Sequence, residues 1–510
     1  MASKCNWGLF LVIDSIAHLP GFSAARFGDR IAFQFDVEAI SFAEIAGRAA
    51  RCARGLAANG IGRGDRVILH LPNGADWIVI YYAIAYLGAV VVPANILLST
   101  GEIDYIAENC GAKAIILPAA KLSAITTGGM LVVTPEKSEG ALPLAALMVG
   151  AAAAPPEVRA DELFTIAYTS GTTGKPKGAM LTHGNIVASV AGTATIHVRT
   201  AHDRIFSALP FTHVYGNVVM NSALFTGAKV TAQRRFDPGK ALRMIEEDQI
   251  TLFEGVPTMY YQMLAHPKIA TAGLRSLTRC TVGGQTMPRA KLEMVVERFG
   301  CPILELWGMT EVGGPATSHS PYWVPRLGSI GLPFPATELR IMSLVAPDSE
   351  ASFGEPGELL VRGPLVMKGY WNNPEATAET IDENGWLATG DIATQERDGY
   401  IFIVDRKKDM ILTAGYNVYP AELEQIIAAH PAVNMVAVVG VPDEEKGELA
   451  EAYVVLHKGA ELDEQRLLLH CRSSLAAYKV PRIIRFVDDL PRTNTGKILR
   501  RALREKPPRA

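Results

Sequence analysis

The chain has 510 residues, 49% of them hydrophobic and 20% charged, with a formal net charge of −3. That composition supplies apolar material for roughly three to four domain-sized units, and the lack of a basic excess excludes nucleic acid as an expected partner. Six cysteines without C-x-x-C spacing fit reduced thiols in a cytoplasmic protein better than a disulfide scaffold or zinc site.

Along the chain, the apolar stretch 8–13 stops at Asp14, too short for a signal h-region, so no export is expected. Helical period marks 45–59, and 66–70 is β-rich. The run 78–92 is apolar but holds Tyr81, Tyr82 and Tyr86 and is shorter than a membrane span. It reads as a buried helix running into a strand at 89–93, with no integral membrane association. A further strand is expected at 114–117. The Ala/Pro-rich stretch 141–156 reads as a connector. A strand at 163–168, a helix opening at 184–190 and a helix at 241–248 continue the alternation, which predicts α/β architecture with parallel sheets. Short strands near 357–362 and 399–404 predict a small β-rich lobe. After Asp405-Arg406-Lys407-Lys408-Asp409 the texture changes. A helix is expected at 420–429, strands at 433–441 and 451–456, a helix at 462–475 and a strand at 482–487. That α+β unit of about a hundred residues is large enough to fold alone. The last residues carry no Ser-Lys-Leu address. The predicted fold is a large N-terminal, multi-lobed α/β domain with stacked, mostly parallel sheets and a small β-rich lobe (1–405), a hinge (406–409), and a small, mobile α+β C-terminal domain (410–510).

The richest chemistry lies at 167–180, Ala-Tyr-Thr-Ser-Gly-Thr-Thr-Gly-Lys-Pro-Lys-Gly-Ala-Met. Glycines free the backbone so that N–H groups can point at a phosphate. The hydroxyls add donors and the lysines add positive charge. The stretch reads as a phosphate-binding loop; it lacks the Gly-x-x-x-x-Gly-Lys-Ser/Thr spacing of a Walker A loop. By itself it is also compatible with a solvated polar loop.

Five further motifs accompany it: Leu209-Pro210-Phe211-Thr212-His213-Val214-Tyr215-Gly216; Leu306-Trp307-Gly308-Met309-Thr310-Glu311; Trp386-Leu387-Ala388-Thr389-Gly390-Asp391; Asp405-Arg406-Lys407-Lys408-Asp409 with Gly415-Tyr416-Asn417-Val418-Tyr419-Pro420; and Pro491-Arg492-Thr493-Asn494-Thr495-Gly496-Lys497-Ile498. In this order and spacing the chain resembles the AMP-forming acyl-CoA synthetase family of adenylate-forming enzymes over nearly its whole length. The resemblance implies that a carboxylate attacks the α-phosphate of ATP, releasing pyrophosphate, and that the thiol of CoA then displaces AMP. Such catalysis is mostly positioning and electrostatics.

By resemblance the catalytic set is Lys497, Thr310, Glu311 and His213. Lys497 bridges carboxylate and α-phosphate, Thr310 holds the α-phosphate and Glu311 ligates Mg²⁺. His213 is read as a gate at the acyl pocket or, equally, as a core histidine. The nucleotide-binding set is Thr169, Ser170, Gly171, Thr172, Thr173, Gly174, Lys177, Gly284, Trp307, Gly308, Asp391, Arg406 and Gly415. Trp307 is the stacking aromatic opposite Gly283-Gly284-Gln285, with core packing as its alternative. Asp391 and Arg406 are the ribose contacts; Asp391 alone could be a helix N-cap or an Asx turn. Lys408 sits at the hinge, and the stretch around Gly415 approaches CoA after the domain swings. ATP, Mg²⁺ and CoA are the implied cosubstrates, with no prosthetic group. A homodimer and an acetyltransferase/deacetylase pair acting on Lys497 are the partners this reading leaves room for.

Amino-acid-activating relatives carry an Asp in the segment matching 211–215; none stands there, which argues against an amino acid. The pocket segments 215–224 and 253–261 supply Val218, Val219, Met220, Val256, Met259 and Tyr260, with no Arg or Lys among them, which argues against a dicarboxylate. Gly308 stands where acetate-specific relatives have tryptophan, so it is expected to leave room for a longer acid. A medium- or long-chain fatty acid is favoured, with an aryl acid or carrier-protein loading as alternatives. A luciferase-like oxygenase would share the motifs.

Overall fold

The computed structural model describes residues 13–150, 158–169, 176–346, 348–414, 416–492 and 498–505. The predicted apolar stretch 8–13 therefore lies outside the described residues except for Ile13, as do residues 151–156 of the predicted connector.

Two large sheets carry the N-terminal part. The first has seven strands in the order Leu142–Pro143, Leu131–Thr134, Ala114–Ile116, Arg66–Leu69, Val90–Pro93, Leu163–Thr169 and Lys177–Thr182. All its pairings are parallel except the last. Parallel strands covered on both faces read as unbroken apolar runs, which is why Val-Ile-Leu at 67–69 and Val-Val-Val at 90–92 could be found by composition. The helix Ala75–Tyr86 buries every residue but Asp76 and leads into Val90–Pro93, as expected from the tyrosine-bearing run.

The second sheet has nine strands, ordered Leu332–Pro333, Gly314–Ser318, Ile303–Met309, Arg279–Val282, Leu252–Gly255, Arg204–Ser207, Lys229–Ala232, Ile31–Gln34 and Ala39–Ser41. Its centre is parallel from Ile303–Met309 to Ile31–Gln34. The β-rich lobe is a four-stranded antiparallel sheet of Glu338–Ser343, Gly357–Arg362, Leu387–Gln395 and Ile401–Arg406. One apolar cluster runs through all of this, from Ile16 to Ile401.

The C-terminal part has its own five-stranded sheet, built on the long hairpin Val433–Asp443 and Gly447–Leu456. Helices Pro420–Ala428 and Glu464–Arg472 cover one face, where Leu423, Ile427, Leu467 and Cys471 pack on Val436, Val438, Ala452 and Val454. The other face packs Val439, Tyr453 and Val455 on Leu490 and Leu503, with Tyr261 of the N-terminal part against them. The fold class read from the sequence is the one found.

Local chemistry explains the small boundary differences. The helix expected at 45–59 is Phe42–Ala58, because Ser41 and Glu44 form a reciprocal capping box that starts it earlier. The helix expected at 462–475 is Glu464–Arg472, with Asp463 as its N-cap. No helix among the described residues is long and apolar enough to cross a membrane.

Candidate active site

In open α/β sheets, ligands bind outside the carboxyl ends of the strands. Strands Arg279–Val282 and Ile303–Met309 are parallel neighbours, so Gly284, just past the first, and Trp307, near the end of the second, lie at the same carboxyl end of the nine-stranded sheet. Gly284 turns the chain at φ +89°. A Cβ on Gly283 would lie 2.2 Å from Leu306 Cδ1, so glycine there lets the two strands close up. Trp307 is buried, and its indole N–H donates to Asp391 Oδ2 at 2.7 Å. Asp391 pairs across the β-rich lobe with Arg406, whose Nε lies 3.1 Å from Oδ1. Trp307, Asp391 and Arg406 thus form one chain of contacts. Asp391 sits inside the strand Leu387–Gln395, so neither an N-cap nor an Asx turn accounts for it.

Gly308 corrects an expectation. The strand shifts register between Trp307 and Gly308, which pairs with Pro315. A Cβ at 308 would meet Gly314 O at 1.9 Å and Pro315 Cα at 2.7 Å. The space beside Gly308 is filled by backbone and is not room for a longer acid.

On the phosphate side, Thr169 ends the strand Leu163–Thr169, and its hydroxyl donates to Lys177 O at 3.4 Å. Lys177 begins the antiparallel partner strand. Ser170, Gly171, Thr172, Thr173 and Gly174 lie outside the described residues. Thr310 and Glu311 occupy the 3₁₀ turn Thr310–Val312 that follows Trp307 and Gly308. Tyr370, which no motif singled out, donates from its hydroxyl to Glu311 Oε1 at 2.8 Å, and its ring centroid is 5.0 Å from Lys177 Nζ. Among the described residues, no group of three or more His, Cys, Asp or Glu side chains could cage a metal. Magnesium that bridges phosphates wants one or two carboxylates and keeps several waters, a demand the single carboxylate Glu311 fits.

Lys497 and Gly415 lie outside the described residues, but their neighbours are placed. Ile498 N donates to Gln285 Oε1 at 3.2 Å, and Gln285 Nε2 donates to Ile498 O at 3.4 Å. The C-terminal segment is thus held one residue after Lys497 by the wall that includes Gly284. Lys291 Nζ donates to Val433 O at 2.8 Å, a second tie between the two parts. At the junction, Asp405 accepts from Arg406 N and Ala421 N at 2.7 and 2.8 Å. Burial pushes its carboxyl up to about 6 against the pull of Arg500. Burial also lowers the Lys408 ammonium below its ordinary value, with Arg406 adding repulsion.

His213 caps the helix Val214–Thr226, its Nδ1 accepting Tyr215 N at 3.3 Å. The apolar candidates divide. Val218 approaches Gly314, where a Cβ would come within 2.8 Å of Val218 Cγ2. Tyr260 is core: its ring packs between Phe253 and Phe299, and its hydroxyl donates to Thr281 O at 2.6 Å. Sequence reasoning missed the network behind Tyr215. The Tyr215 hydroxyl donates to Glu254 Oε2 at 3.0 Å, and Glu254 also binds Arg199 and Thr281. Both charged side chains are fully buried. The available signal was an acid inside the apolar strand Leu252–Gly255.

The model of the AMP-binding enzyme family matches residues 22–371, and that of the AMP-binding enzyme C-terminal domain matches 422–497. The chain is 36% identical to a long-chain-fatty-acid–CoA ligase of Bacillus subtilis (strain 168) over 525 residues, covering 95% of this chain and 93% of the relative. It is 38% identical to a feruloyl-CoA synthase of an Amycolatopsis species over 476 residues, covering 92% of this chain and 94% of the relative. The crystal structure of ATP-bound MatB from Rhodopseudomonas palustris superposes with a TM-score of 0.88 at 32% identity, covering 96% of this chain and 98% of that one.

Proposed function

The chain belongs to the AMP-binding enzyme family, as an AMP-forming acyl-CoA synthetase, and from that premise we propose that its acid is a medium- or long-chain fatty acid, activated in two steps. A carboxylate oxygen bonds to the α-phosphorus of ATP as the bond to pyrophosphate breaks, giving acyl-AMP. The sulfur of CoA, its proton lost, then bonds to the acyl carbon and AMP leaves.

The observation that carries the site reading is the convergence, from distant parts of the sequence, of Lys177, Glu311 and Tyr370 on one side and Trp307, Asp391 and Arg406 on the other. Trp307 would stack on adenine, and Asp391 and Arg406 would contact the ribose. Thr169, Ser170, Gly171, Thr172, Thr173, Gly174 and Lys177 would cradle the phosphates, and Thr310 would hold the α-phosphate. Glu311 would hold Mg²⁺, which when bound neutralises phosphate charge. Lys497 would bring its ammonium to the carboxylate and α-phosphate. The bonding of Ile498 to Gln285 supports a pose suited to that first step.

For the second step we assign 406–409, with Lys408, as the hinge about which the C-terminal domain turns. That motion would withdraw Lys497 and bring the Gly415 turn toward the pantetheine thiol. Acetylation of Lys497 would remove its charge and stop the first step while sparing the second.

The fatty acid is favoured by the apolar composition of 215–224, with Val218, Val219 and Met220, and by the 36% identity to a long-chain-fatty-acid–CoA ligase. An aryl acid is the second reading, favoured by the 38% identity to a feruloyl-CoA synthase. The test is pyrophosphate and AMP release with ATP, Mg²⁺ and CoA over acetate, C4 to C18 fatty acids, benzoate, coumarate and amino acids. Turnover that is best with a C8 to C18 acid and lost in Lys497→Ala is expected. A best rate with coumarate or benzoate moves the assignment to the aryl reading, and acyl-AMP without thioester moves the acceptor to a carrier protein.

A further inference from the structure

Tyr370 lies outside every motif that carried the sequence reading, yet it joins two of them. The segment 368–371 runs along the strand Lys177–Thr182. Lys368 N donates to Met180 O, Met180 N to Gly369 O, and Trp371 N to Gly178 O, at 2.9, 2.9 and 2.7 Å, placing Tyr370 opposite Ala179. From the other side, Tyr370 N donates to Thr377 Oγ1 at 2.9 Å, and that hydroxyl donates to Asn373 O at 2.8 Å. The preceding Gly369 sits at φ +133°, and a Cβ there would lie 2.6 Å from Thr377 Cγ2. The backbone of Tyr370 is therefore held by a strand on one flank and the short helix Pro374–Thr380 on the other.

From that anchored backbone the side chain runs to both motifs. Its hydroxyl reaches Glu311 Oε1 and its ring faces the Lys177 ammonium. Tyr370 and Glu311 are each only 7% exposed, and Met367 N donates to Glu311 O at 2.8 Å. The same short stretch thus holds both the backbone and the carboxylate of Glu311. A phenol is protonated at working pH, so the hydroxyl is the donor in this pair. A phenol bonded to one carboxylate oxygen sets the plane of the group and the direction of the other oxygen. The π face toward Lys177 attracts the ammonium and limits its rotamers.

We propose that Tyr370 is a positioning residue for adenylation: it aims the Glu311 carboxylate, and with its ring the Lys177 ammonium, at the nucleotide phosphates and their divalent cation. The proposal rests on the functional reading above, and its test is built to fail separately from it. Tyr370→Phe removes the hydroxyl and keeps the ring; Tyr370→Leu removes both. Each variant is assayed for acid-dependent pyrophosphate release against Mg²⁺ and against ATP, and for thioester formation from supplied acyl-AMP and CoA. Each is also measured for Mn²⁺ binding with a non-hydrolysable ATP analogue, by water-proton relaxation, and for melting temperature.

In Tyr370→Phe the half-saturating Mg²⁺ and the Mn²⁺ dissociation constant should rise about tenfold, the scale of one hydrogen bond to a charged group. The melting temperature should fall by no more than a few degrees, as one buried hydrogen bond is lost from a chain of this size, and the thioester step should keep its wild-type rate. Tyr370→Leu should add a rise in the KM for ATP. Unchanged metal dependence in Tyr370→Phe, or equal losses in both half-reactions, overturns the proposal. A KM for ATP no higher in Tyr370→Leu than in Tyr370→Phe removes the role assigned toward Lys177. If the wild-type chain releases no pyrophosphate with any acid, it is the functional reading that fails.

Discussion

Gly308 gives the sharpest test, because two readings of one residue predict different outcomes. If Gly308 opens the acyl pocket, a side chain there shortens the acid accepted and leaves the fold intact. The structure predicts otherwise. A Cβ at 308 would lie 1.9, 2.6 and 2.7 Å from Gly314 O, Gly314 C and Pro315 Cα. These are backbone atoms of the antiparallel partner strand Gly314–Ser318, so no side-chain rotation relieves the overlap. To reach ordinary contact the hairpin must open by about 1.5 Å, and overpacking of this kind costs about 1–3 kcal/mol and occasionally more. The other strand of that hairpin, Ile303–Met309, carries Trp307 next to Asp391 and leads into Thr310 and Glu311. A misplacement of about 1 Å among positioning groups can cost on the order of a hundredfold in rate. Gly308→Ala should therefore lose about 1–3 kcal/mol by urea unfolding and at least tenfold in the rate of pyrophosphate release, with little change in relative preference among acids. Wild-type stability and rate in Gly308→Ala, or a stable Gly308→Trp that merely turns toward acetate, would refute the argument.

Other outcomes follow from buried polar groups and from the tie between the two parts. Glu254→Gln leaves the fully buried Arg199 without its counter-charge, so a loss of about 3–5 kcal/mol is expected in urea unfolding; a loss below about 1 kcal/mol contradicts it. Burial raises the Glu305 carboxyl from 4.5 to about 8, although Gly328 N donates to it. Between those values the unfolded chain has released this proton and the folded chain keeps it, so stability falls as pH rises through that window. Glu305→Gln should gain on the wild type steadily from pH 5 to 8 in urea midpoints, and an offset independent of pH contradicts the shift. Gln285→Ala removes both hydrogen bonds to the Ile498 backbone. Acyl-AMP formation should fall several-fold while thioester formation from supplied acyl-AMP is kept, as read by separate half-reaction assays; equal losses in both contradict the role assigned to this tie.

What the sequence determined by itself was everything that depends on near neighbours along the chain. Apolar runs such as 67–69 and 90–92 marked parallel strands, because strands buried on both faces admit little else. The Gly/Ser/Thr/Lys loop suggested phosphate binding by its own residue types, and together with its five companion motifs it carried the family resemblance. Tertiary structure alone decided which of those pieces meet. Trp307 bonds Asp391 across 84 residues and Tyr370 bonds Glu311 across 59, and no periodicity encodes such pairings. Tyr370 went unread because its value lies in where two flanking elements aim it and not in its own neighbourhood. Gly308 was misread for the same reason. A glycine looks like empty space in a sequence, and only the packed hairpin shows that the backbone of Gly314 and Pro315 already fills it.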